Sequence, residues 1–297
     1  MSYLSAILQG LIQGLTEFLP ISSSGHLSLF QYFTGVNGEA SVSFSILLHL
    51  GTLAAVVVAF WPTIWKLVLT ALSFLRELFT GKLGKVKASP QRRMLYMLVL
   101  SCVPLLIVPF FKEPIASLSS DNSIIAEGVF FLLTALILTL GDRCAKGKKN
   151  AATMTPRDAA AVGLGQLVAV LPGISRSGTT ISTGLLVGLD RGYAVAYSFI
   201  LGLPTILAAA LLDLKDVLDS GAGFQLEWGP TLAGVLVSAV TGFFAIKLVQ
   251  LIIKSDKFKI FAIYALVLGI AVIGIGTSEI FTDHAVQHFF TALMAGG

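Results

Sequence analysis

Three side chains near the start of this sequence are of the types that enzymes use for nucleophilic and acid–base chemistry. Ser23 and His26 lie three positions apart where a loop is predicted to turn into a helix, a spacing that could bring a hydroxyl nucleophile beside a proton carrier. A serine in such a place is more commonly a helix cap, so this pair alone is a weak signal. Glu17 precedes them in an apolar stretch, where it could be a general base, a metal ligand or the salt partner of a buried cation.

Arg176 is the fourth candidate, and it lies half a chain later within the sequence Gly173-Ile-Ser-Arg-Ser-Gly178. At membrane depth an arginine costs at least about 2.5 kcal/mol on insertion scales, so it is rarely idle there. A planar guanidinium beside hydroxyls and the amides of a helix predicted to start near Thr179 suits a phosphate. The glycines let backbone N–H groups approach an anion. The alternative, which is compatible with this one, is an arginine that pairs with a carboxylate to hold two segments together.

Other polar residues accompany both stretches, and they would share one pocket if the stretches meet. Gln13 lies four residues before Glu17, and therefore on the same side of a helix. His49 lies in a separate apolar run beside Gly51, and we interpret it as a packing histidine rather than a catalyst. The remaining candidates for this pocket are Ser22, Ser24, Gln166, Ser175, Ser177, Thr179 and Thr180.

The composition places these residues in a membrane protein. Of 297 residues, 55% are apolar and 12% charged, and the mean hydropathy is +0.87, whereas soluble domains carry about twice that charged fraction. The net charge of +4 does not indicate nucleic-acid binding, because the basic residues lie in short loops between apolar runs. Cys102 and Cys144 are expected to be separate thiols, neither a disulfide nor a metal site. An N-terminal stretch without basic residues, and with Glu17 inside it, argues against a cleaved signal peptide.

Six apolar runs are long enough to cross a membrane, and two more are interrupted. The predicted spans are residues 42–61, 94–111, 124–141, 193–212, 230–253 and 260–276. The interrupted stretches, 4–33 and 159–189, are broken in the middle by proline, glycine and serine, which leaves halves too short to span. Each is predicted to be a re-entrant helical hairpin, whose irregular backbone must be covered by protein or line a wet cavity.

The loop charges predict how these elements are arranged. Segments 66–93, 143–157 and 247–259 carry most of the lysines and arginines and are expected to be cytoplasmic, while 112–123 and 213–229 are acidic on balance and expected outside. The spans alternate correctly only if both hairpins are re-entrant. We therefore predict one all-α membrane domain of two inverted repeats, residues 1–141 and 142–297, each a hairpin followed by three spans. Such repeats place a polar site near the midplane, where their breaks meet; the alternative is a bundle containing two unrelated kinked helices.

Two motifs resemble the signature sequences of the undecaprenyl-diphosphate phosphatase family, the bacitracin-resistance proteins of bacteria. They are Gln13-Gly-Leu-Thr-Glu17-Phe-Leu-Pro-Ile-Ser-Ser-Ser-Gly-His26 and Leu171-Pro-Gly-Ile-Ser-Arg176-Ser-Gly-Thr179. The similarity continues through His49-Leu-Gly-Thr-Leu and Tyr197-Ser-Phe-Ile-Leu-Gly-Leu-Pro204, so it covers most of the chain. One position departs from many members, which have glutamate where this chain has Gln13. An uncharged glutamine weakens any arrangement in which two carboxylates of the first hairpin share one cation.

The resemblance implies an integral-membrane enzyme that hydrolyses undecaprenyl diphosphate, the spent carrier lipid of cell-wall synthesis, to undecaprenyl phosphate and inorganic phosphate. It places this reaction at the outer face of the bacterial cytoplasmic membrane, and it implies a divalent cation (Mg²⁺ or Ca²⁺) with Glu17 as its expected ligand, and a homodimer. Ser23 is the favoured nucleophile, with His26 or Glu17 taking its proton; attack by the histidine itself and attack by a directly activated water are the alternatives. By motif position the expected catalytic residues are Glu17, Ser23, His26 and Arg176. The expected substrate-binding residues are Gln13, Ser22, Ser24, Gln166, Gly173, Ser175, Ser177, Gly178 and Thr179.

Two other classes of function stay open at the level of sequence. One is a lipid flippase or small-anion transporter, because inverted repeats with broken helices are typical of transporters and bind substrates at the midplane without cleaving them. The other is a non-catalytic relative of the phosphatases. The enzyme is favoured because His26 lies beside Ser23 and because Arg176 and Glu17 occur in complete motifs, and a transporter needs no nucleophile.

Overall fold

The fold is entirely helical in the part of the chain that can be described. A computed structural model describes residues 2–35, 39–80, 89–111, 123–144, 146–219, 226–255, 257–282 and 284–295. These residues form α-helices and one 3-10 segment, and among them no β-strand occurs. The all-α prediction is therefore confirmed. The loops predicted to face outward lie partly outside the described residues, at 112–122 and 220–225.

The helices are named α1 to α12 in chain order. The helices of residues 1–141 are α1 (Tyr3–Phe18), α2 (Ser23–Thr34), α3 (Glu39–Ala59), α4 (Trp61–Phe79), α5 (Pro90–Cys102, continued by the 3-10 segment Val103–Phe111) and α6 (Ile125–Asp142). Those of residues 142–297 are α7 (Pro156–Val168), α8 (Arg176–Leu186), α9 (Arg191–Asp219), α10 (Trp228–Lys254), α11 (Lys259–Thr282) and α12 (Ala285–Ala295).

Long apolar helices account for the predicted membrane spans. Five stretches pass the length and hydropathy criteria for crossing a bilayer, namely Pro90–Phe111, Ile125–Asp142, Arg191–Asp219, Trp228–Lys254 and Lys259–Thr282. They coincide with five of the six predicted spans. The sixth, predicted at 42–61, corresponds to α3, which meets α4 at a bend of 91° and passes the criteria only together with it. The protein is therefore a multi-pass membrane protein, as its composition predicts.

Helix α4 differs from the sequence interpretation, which assigned residues 66–93 to a basic loop. Trp61 and Trp65 stack on one another one turn apart, with ring centroids separated by 5.7 Å. A buried ion pair between Arg92 of α5 and Glu77 fixes the far end of α4 against the bundle. The sequence interpretation missed this helix because it treated residues 66–93 as one basic segment, although only Lys66 and Arg76 of its seven basic residues lie in α4.

Each interrupted stretch folds as a helical hairpin with arms too short to cross a bilayer. Helices α1 and α2 have 16 and 12 residues, and α7 and α8 have 13 and 11, whereas a span needs roughly 20. The second arm of both hairpins starts with the same cap, because Ser22 and Ser175 each accept a hydrogen bond from the amide three residues later. Helix α8 consequently begins at Arg176 and not near Thr179 as predicted.

Small residues allow the hairpins and spans to pack closely. Helix α1 lies along α10, where a Cβ on Gly10 would overlap the carbonyl oxygen of Gly234, and α6 lies along α11 through Gly128 and Gly269. Helix α7 packs against α5. The first arm of each hairpin therefore contacts the second predicted span of the opposite half.

Gly10 provides a direct test of this packing. We expect Gly10→Ala to destabilise the protein by about 1 to 3 kcal/mol, because the added methyl group forces α1 away from α10. Thermal unfolding of the purified protein in detergent measures the effect. The matched control is Gly274→Ala in α11, where an added Cβ meets no atom within 4 Å. Equal melting temperatures for both variants would contradict the packing described here.

Candidate active site

The breaks of the two hairpins lie against each other. The amide of Gly173 donates a hydrogen bond to Ser24 Oγ at 3.2 Å, and Ser177 Oγ donates to the carbonyl of Leu19 at 3.4 Å. A Cβ on Gly25 would lie 3.3 Å from the Cα of Gly173, so the two backbones come within contact of one another. The structure thus brings together the two motifs that lie about half a chain apart in sequence.

Glu17 is the centre of the hydrogen-bond network at this junction. Its Oε1 accepts from Nη2 of Arg176 at 2.6 Å. Its Oε2 accepts from Ser23 Oγ at 2.7 Å and from Gln13 Nε2 at 3.1 Å. Only 6% of the carboxylate side chain is exposed, and a buried carboxylate needs such donors to stay ionised. Three of the expected catalytic residues and one expected binding residue therefore converge on one point.

The repeated cap places Ser23 and Arg176 at equivalent positions in the two hairpins. In each hairpin, the capping serine and the serine two positions later have their Oγ atoms 3.3 Å apart. The residue between those serines is Ser23 in the first hairpin and Arg176 in the second. Both side chains reach the carboxylate of Glu17. The same serine cap, present in both hairpins, therefore places a hydroxyl and a guanidinium against the carboxylate of Glu17.

The guanidinium of Arg176 is confined but keeps unused donors. Its Nη1 donates to the carbonyl of Ser198 in α9 at 3.4 Å, and α9 can approach because Gly202 has no side chain; a Cβ there would overlap the guanidinium. About one sixth of the Arg176 side chain, 16%, is exposed. An arginine carries more N–H donors than these two contacts use. The rest can bind an anion that enters the junction.

The amides at the start of α8 are partly used within the protein. The amide of Ser175 donates to a threonine hydroxyl of α6, and those of Gly178 and Thr179 donate to the side chain and carbonyl of Ser175. Among the described residues, the amides of Arg176 and Ser177 have no such partner. These two N–H groups at a helix N-terminus remain for a negatively charged ligand.

Ser22 has a backbone conformation that residues other than glycine rarely adopt. Its φ is 73°, in the left-handed region. Its carbonyl oxygen accepts from the Nδ1 of His26 at 2.6 Å and from the His26 amide at 3.3 Å. Such strain persists only when surrounding contacts hold it, and it is concentrated at functional sites. At this turn Ser23 follows directly, and its hydroxyl faces Glu17.

The side chains of His26 and Ser23 are not hydrogen-bonded to each other, in contrast to the arrangement that their spacing suggested. Its Nδ1 is occupied by the carbonyl of Ser22, and its Nε2 lies 2.8 Å from the hydroxyl of Tyr264 in α11. Ser23 donates to Glu17 instead. The physical reason is the turned carbonyl of Ser22, which offers the imidazole a closer acceptor than the neighbouring hydroxyl.

His49 lies at the site, although the sequence interpretation made it a packing residue. Its Nε2 is 3.9 Å from Oε2 of Glu17, its Nδ1 lies 2.8 Å from the carbonyl of Ser45, and 31% of its side chain is exposed. A histidine within an apolar span is itself a signal of a polar neighbour. The partner could not be named from sequence, because α1 and α3 meet only in the folded chain.

Several expected binding residues lie apart from the Glu17 network. Gln166 is buried with both polar side-chain atoms unpaired, and the hydroxyl of Thr179 is likewise buried and unpaired. Thr180 Oγ1 lies 2.6 Å from Ser198 Oγ and so pairs with α9. Buried polar atoms without protein partners are normally satisfied by ordered water or a ligand.

The site supplies only some of the ligands that a divalent cation needs. Within the described part of the chain, no group of three or more His, Cys, Asp or Glu side chains could hold a metal. The buried Oε1 of Gln13, however, has no partner, and Gln13 is bonded to Glu17. An amide oxygen and a carboxylate are ligands that Mg²⁺ and Ca²⁺ accept, and Mg²⁺ commonly takes phosphate oxygens as further ligands. The donor set therefore fits a cation that binds together with a phosphate.

A family model described as bacitracin resistance protein BacA matches residues 6–271. The chain belongs to the BacA family. Relatives named undecaprenyl-diphosphatase include a Methanosphaera stadtmanae protein, 37% identical over 279 residues (91% of this chain and 96% of the relative). The Halothermothrix orenii relative is 36% identical over 274 residues (92% and 98%), and that of Bacteroides thetaiotaomicron is 37% identical over 281 (92% and 98%). The family expected from the two motifs is confirmed.

The BacA match includes both helix breaks and every predicted span except the end of the last, which extends to residue 276. The residues that converge on Glu17 therefore all lie inside the region shared with the family. Helix α12 (Ala285–Ala295) lies beyond the match and packs against α2.

Proposed function

We propose that this protein is an integral-membrane phosphatase that hydrolyses undecaprenyl diphosphate to undecaprenyl phosphate and inorganic phosphate. The observation that carries the proposal is the junction of the two hairpins, where Ser23 and Arg176 both contact Glu17. A hydroxyl, a buried carboxylate and a guanidinium with unused donors are the groups that phosphoryl transfer requires. The names of the relatives agree with this chemistry. The product would recycle the carrier lipid of cell-wall synthesis.

Arg176 binds the terminal phosphate in this proposal. The incoming phosphate competes with Glu17 for the guanidinium, because both anions need the same N–H donors. As Arg176 turns toward the phosphate, Glu17 loses its strongest partner and becomes a better proton acceptor. The amides of Arg176 and Ser177 add two further donors at the helix N-terminus. Substrate binding thus prepares the base for the next step.

Ser23 attacks the terminal phosphorus. Its Oγ forms the new P–O bond, its proton passes to Oε2 of Glu17, and the anhydride P–O bond breaks to release undecaprenyl phosphate. Water then attacks the phosphoserine, with the Nε2 of His26 taking one of its protons. Glu17 returns its proton to Ser23 Oγ as inorganic phosphate leaves, and His26 releases its proton to solvent, which restores the starting state. The division of roles follows the observed contacts, since Ser23 donates to Glu17 and not to His26.

A divalent cation, Mg²⁺ or Ca²⁺, belongs to the same proposal, with Glu17 and the Oε1 of Gln13 as its protein ligands. When bound, such an ion neutralises negative charge on the diphosphate. The support is the unpaired, buried Oε1 of Gln13 beside the carboxylate.

The cation proposal predicts the effect of a second carboxylate. We expect Gln13→Glu to lower the half-saturating cation concentration about threefold or more, because ligand charge is a main determinant of affinity for hard divalent ions. Phosphate release measured across a Mg²⁺ and a Ca²⁺ titration gives this value. Gln9→Glu, one turn earlier on α1, is the control and should leave the half-saturating concentration unchanged. An unchanged titration for Gln13→Glu would contradict the ligand assignment.

The arrangement in the membrane completes the proposal. Residues 1–141 and 142–297 are inverted repeats, the site opens to the outer face of the bacterial cytoplasmic membrane, and the protein is a homodimer. Support for the repeats is the shared serine cap and the reciprocal packing of α1 on α10 and α7 on α5. Labelling of single cysteines introduced into each loop of intact cells tests the orientation. Light scattering of the purified protein tests the dimer.

Release of inorganic phosphate from a prenyl diphosphate tests the function itself. The purified protein in detergent should release phosphate in the presence of Mg²⁺ or Ca²⁺. Binding of the diphosphate without any release, across both cations and a range of pH, would favour the lipid flippase or transporter and overturn the enzyme.

A further inference from the structure

Tyr264 holds the histidine of the active site from a distant part of the chain. Its hydroxyl lies 2.8 Å from Nε2 of His26, and the two rings are nearly parallel, with an interplanar angle of 10° and centroids 5.8 Å apart. Tyr264 belongs to α11, the last span of the second half, whereas His26 belongs to α2 in the first hairpin. The contact joins elements separated by 238 residues.

The contacts define which ring nitrogen carries the proton. A carbonyl oxygen can only accept a hydrogen bond, so Nδ1 of His26, 2.6 Å from the Ser22 carbonyl, must carry a hydrogen. In the neutral ring, Nε2 is then an acceptor, and the hydroxyl of Tyr264 donates to it. Phe131 of α6 closes the opposite side, with its ring edge-on to His26 at 5.2 Å between centroids. The imidazole is therefore fixed in both tautomer and orientation.

The hydrogen bond between Tyr264 and His26 is accessible at the surface of the protein. About two fifths of Tyr264, 43%, is exposed, and His26 is only partly buried. The group that donates to the Nε2 lone pair, the Tyr264 hydroxyl, therefore lies at the edge of the site and is not buried in the core. A water molecule that enters can insert between the tyrosine hydroxyl and Nε2, accepting from the hydroxyl and donating to the nitrogen, without disturbing the bond to Ser22.

We propose that Tyr264 is a positioning residue for the phosphatase reaction, which keeps Nε2 of His26 as a proton acceptor directed toward the water that attacks the phosphoserine. This inference rests on the proposed function and on the role given there to His26. Tyr264 does not touch the reacting phosphorus. It acts through His26 by limiting rotation of the imidazole ring, as hydrogen-bonded partners of functional histidines do, while the carbonyl of Ser22 sets the tautomer.

A double-mutant cycle with Tyr264→Phe and His26→Ala tests this role. The phenylalanine keeps the ring stack and removes only the hydroxyl. We expect Tyr264→Phe to lower kcat about ten- to a hundredfold with little change in KM, as for other partners that orient a histidine. In the His26→Ala background, the same substitution should have no further effect on kcat. The control, Tyr193→Phe, removes a hydroxyl that contacts the sulfur of Met154, and it should leave kcat unchanged.

The results of this double-mutant cycle distinguish the positioning role of Tyr264 from the role of His26 in the proposed phosphatase reaction. An impaired His26→Ala with a fully active Tyr264→Phe overturns the positioning role alone, and a fully active His26→Ala overturns both that role and the water-activating step. A loss that is equal in both backgrounds identifies Tyr264 as a packing residue only. Nitrogen NMR of protein labelled at histidine adds an independent readout. Tyr264→Phe should change the Nε2 resonance of His26 while Nδ1 stays protonated, and an unchanged Nε2 resonance would contradict the hydrogen bond.

Discussion

Replacing Arg176 with alanine is expected to lower kcat/KM for a prenyl diphosphate by about 10³-fold or more, because the variant loses the group that binds and neutralises the terminal phosphate. Arg176→Lys should recover only a small part of this loss. A lysine keeps the positive charge but lacks the planar fork that could contact Glu17, the Ser198 carbonyl and a phosphate together. Steady-state phosphate release over a range of substrate concentrations measures both variants.

Folding must be separated from catalysis in this experiment, since Arg176→Ala leaves Glu17 buried without its strongest partner. The double variant Arg176→Ala/Glu17→Gln removes both charges and should restore the melting temperature without restoring activity. Lys254→Ala, at the exposed end of α10, controls for the loss of a positive charge and should retain activity. Phosphate release by Arg176→Ala at a near wild-type rate would exclude its role as the phosphate-binding group.

Ser23→Ala is expected to lower kcat by at least about 10³-fold, because a two-step reaction cannot proceed at a normal rate without its nucleophile. In the described part of the chain, no other hydroxyl is hydrogen-bonded to Glu17 and could replace it. KM should change much less, since Arg176 and the α8 amides still bind the diphosphate. Ser73→Ala in α4, which removes an exposed hydroxyl far from this network in sequence, should have no effect.

A second measurement distinguishes a serine nucleophile from a directly activated water. With substrate labelled in its terminal phosphate, rapid acid quenching of the wild type should leave label on the protein, and peptide mapping should locate it at Ser23. Water that attacks the diphosphate directly would leave no label, and Ser23→Ala would then keep substantial turnover. Either result would overturn the two-step mechanism while leaving the phosphatase activity itself intact.

The elements of the fold could be predicted because composition and interruption are local properties. Long apolar runs give spans, and proline, glycine and serine in the middle of a run give hairpins. The pairing of Arg176 with Glu17 could be anticipated as well, since an isolated charge at that depth is costly and needs a partner. Helix α4 was missed because most basic residues of the segment 66–93 follow the helix, and they led the whole segment to be interpreted as a cytoplasmic loop.

The partners of the histidines could not be predicted, because they depend on tertiary structure. Ser23 turns toward Glu17 and away from His26 owing to the left-handed φ of Ser22, a conformation that a serine does not signal in sequence. Tyr264 and His49 enter the site from separate spans, and no spacing along the chain connects them to the first hairpin. Sequence identified which residues could react, and the structure shows which of them are hydrogen-bonded to one another.

The twin serine caps have a consequence for the ancestry of the molecule. If both halves descend from one duplicated segment, two identical copies would carry the same side chain at the breaks of both hairpins, either two hydroxyls or two guanidiniums. Such a symmetric precursor could bind an anion through two guanidiniums or attack it through a hydroxyl, but it could not do both. A single chain that holds both halves can carry a different residue at each break, here Ser23 in the first hairpin and Arg176 in the second. One break can then supply a hydroxyl while the other supplies a guanidinium.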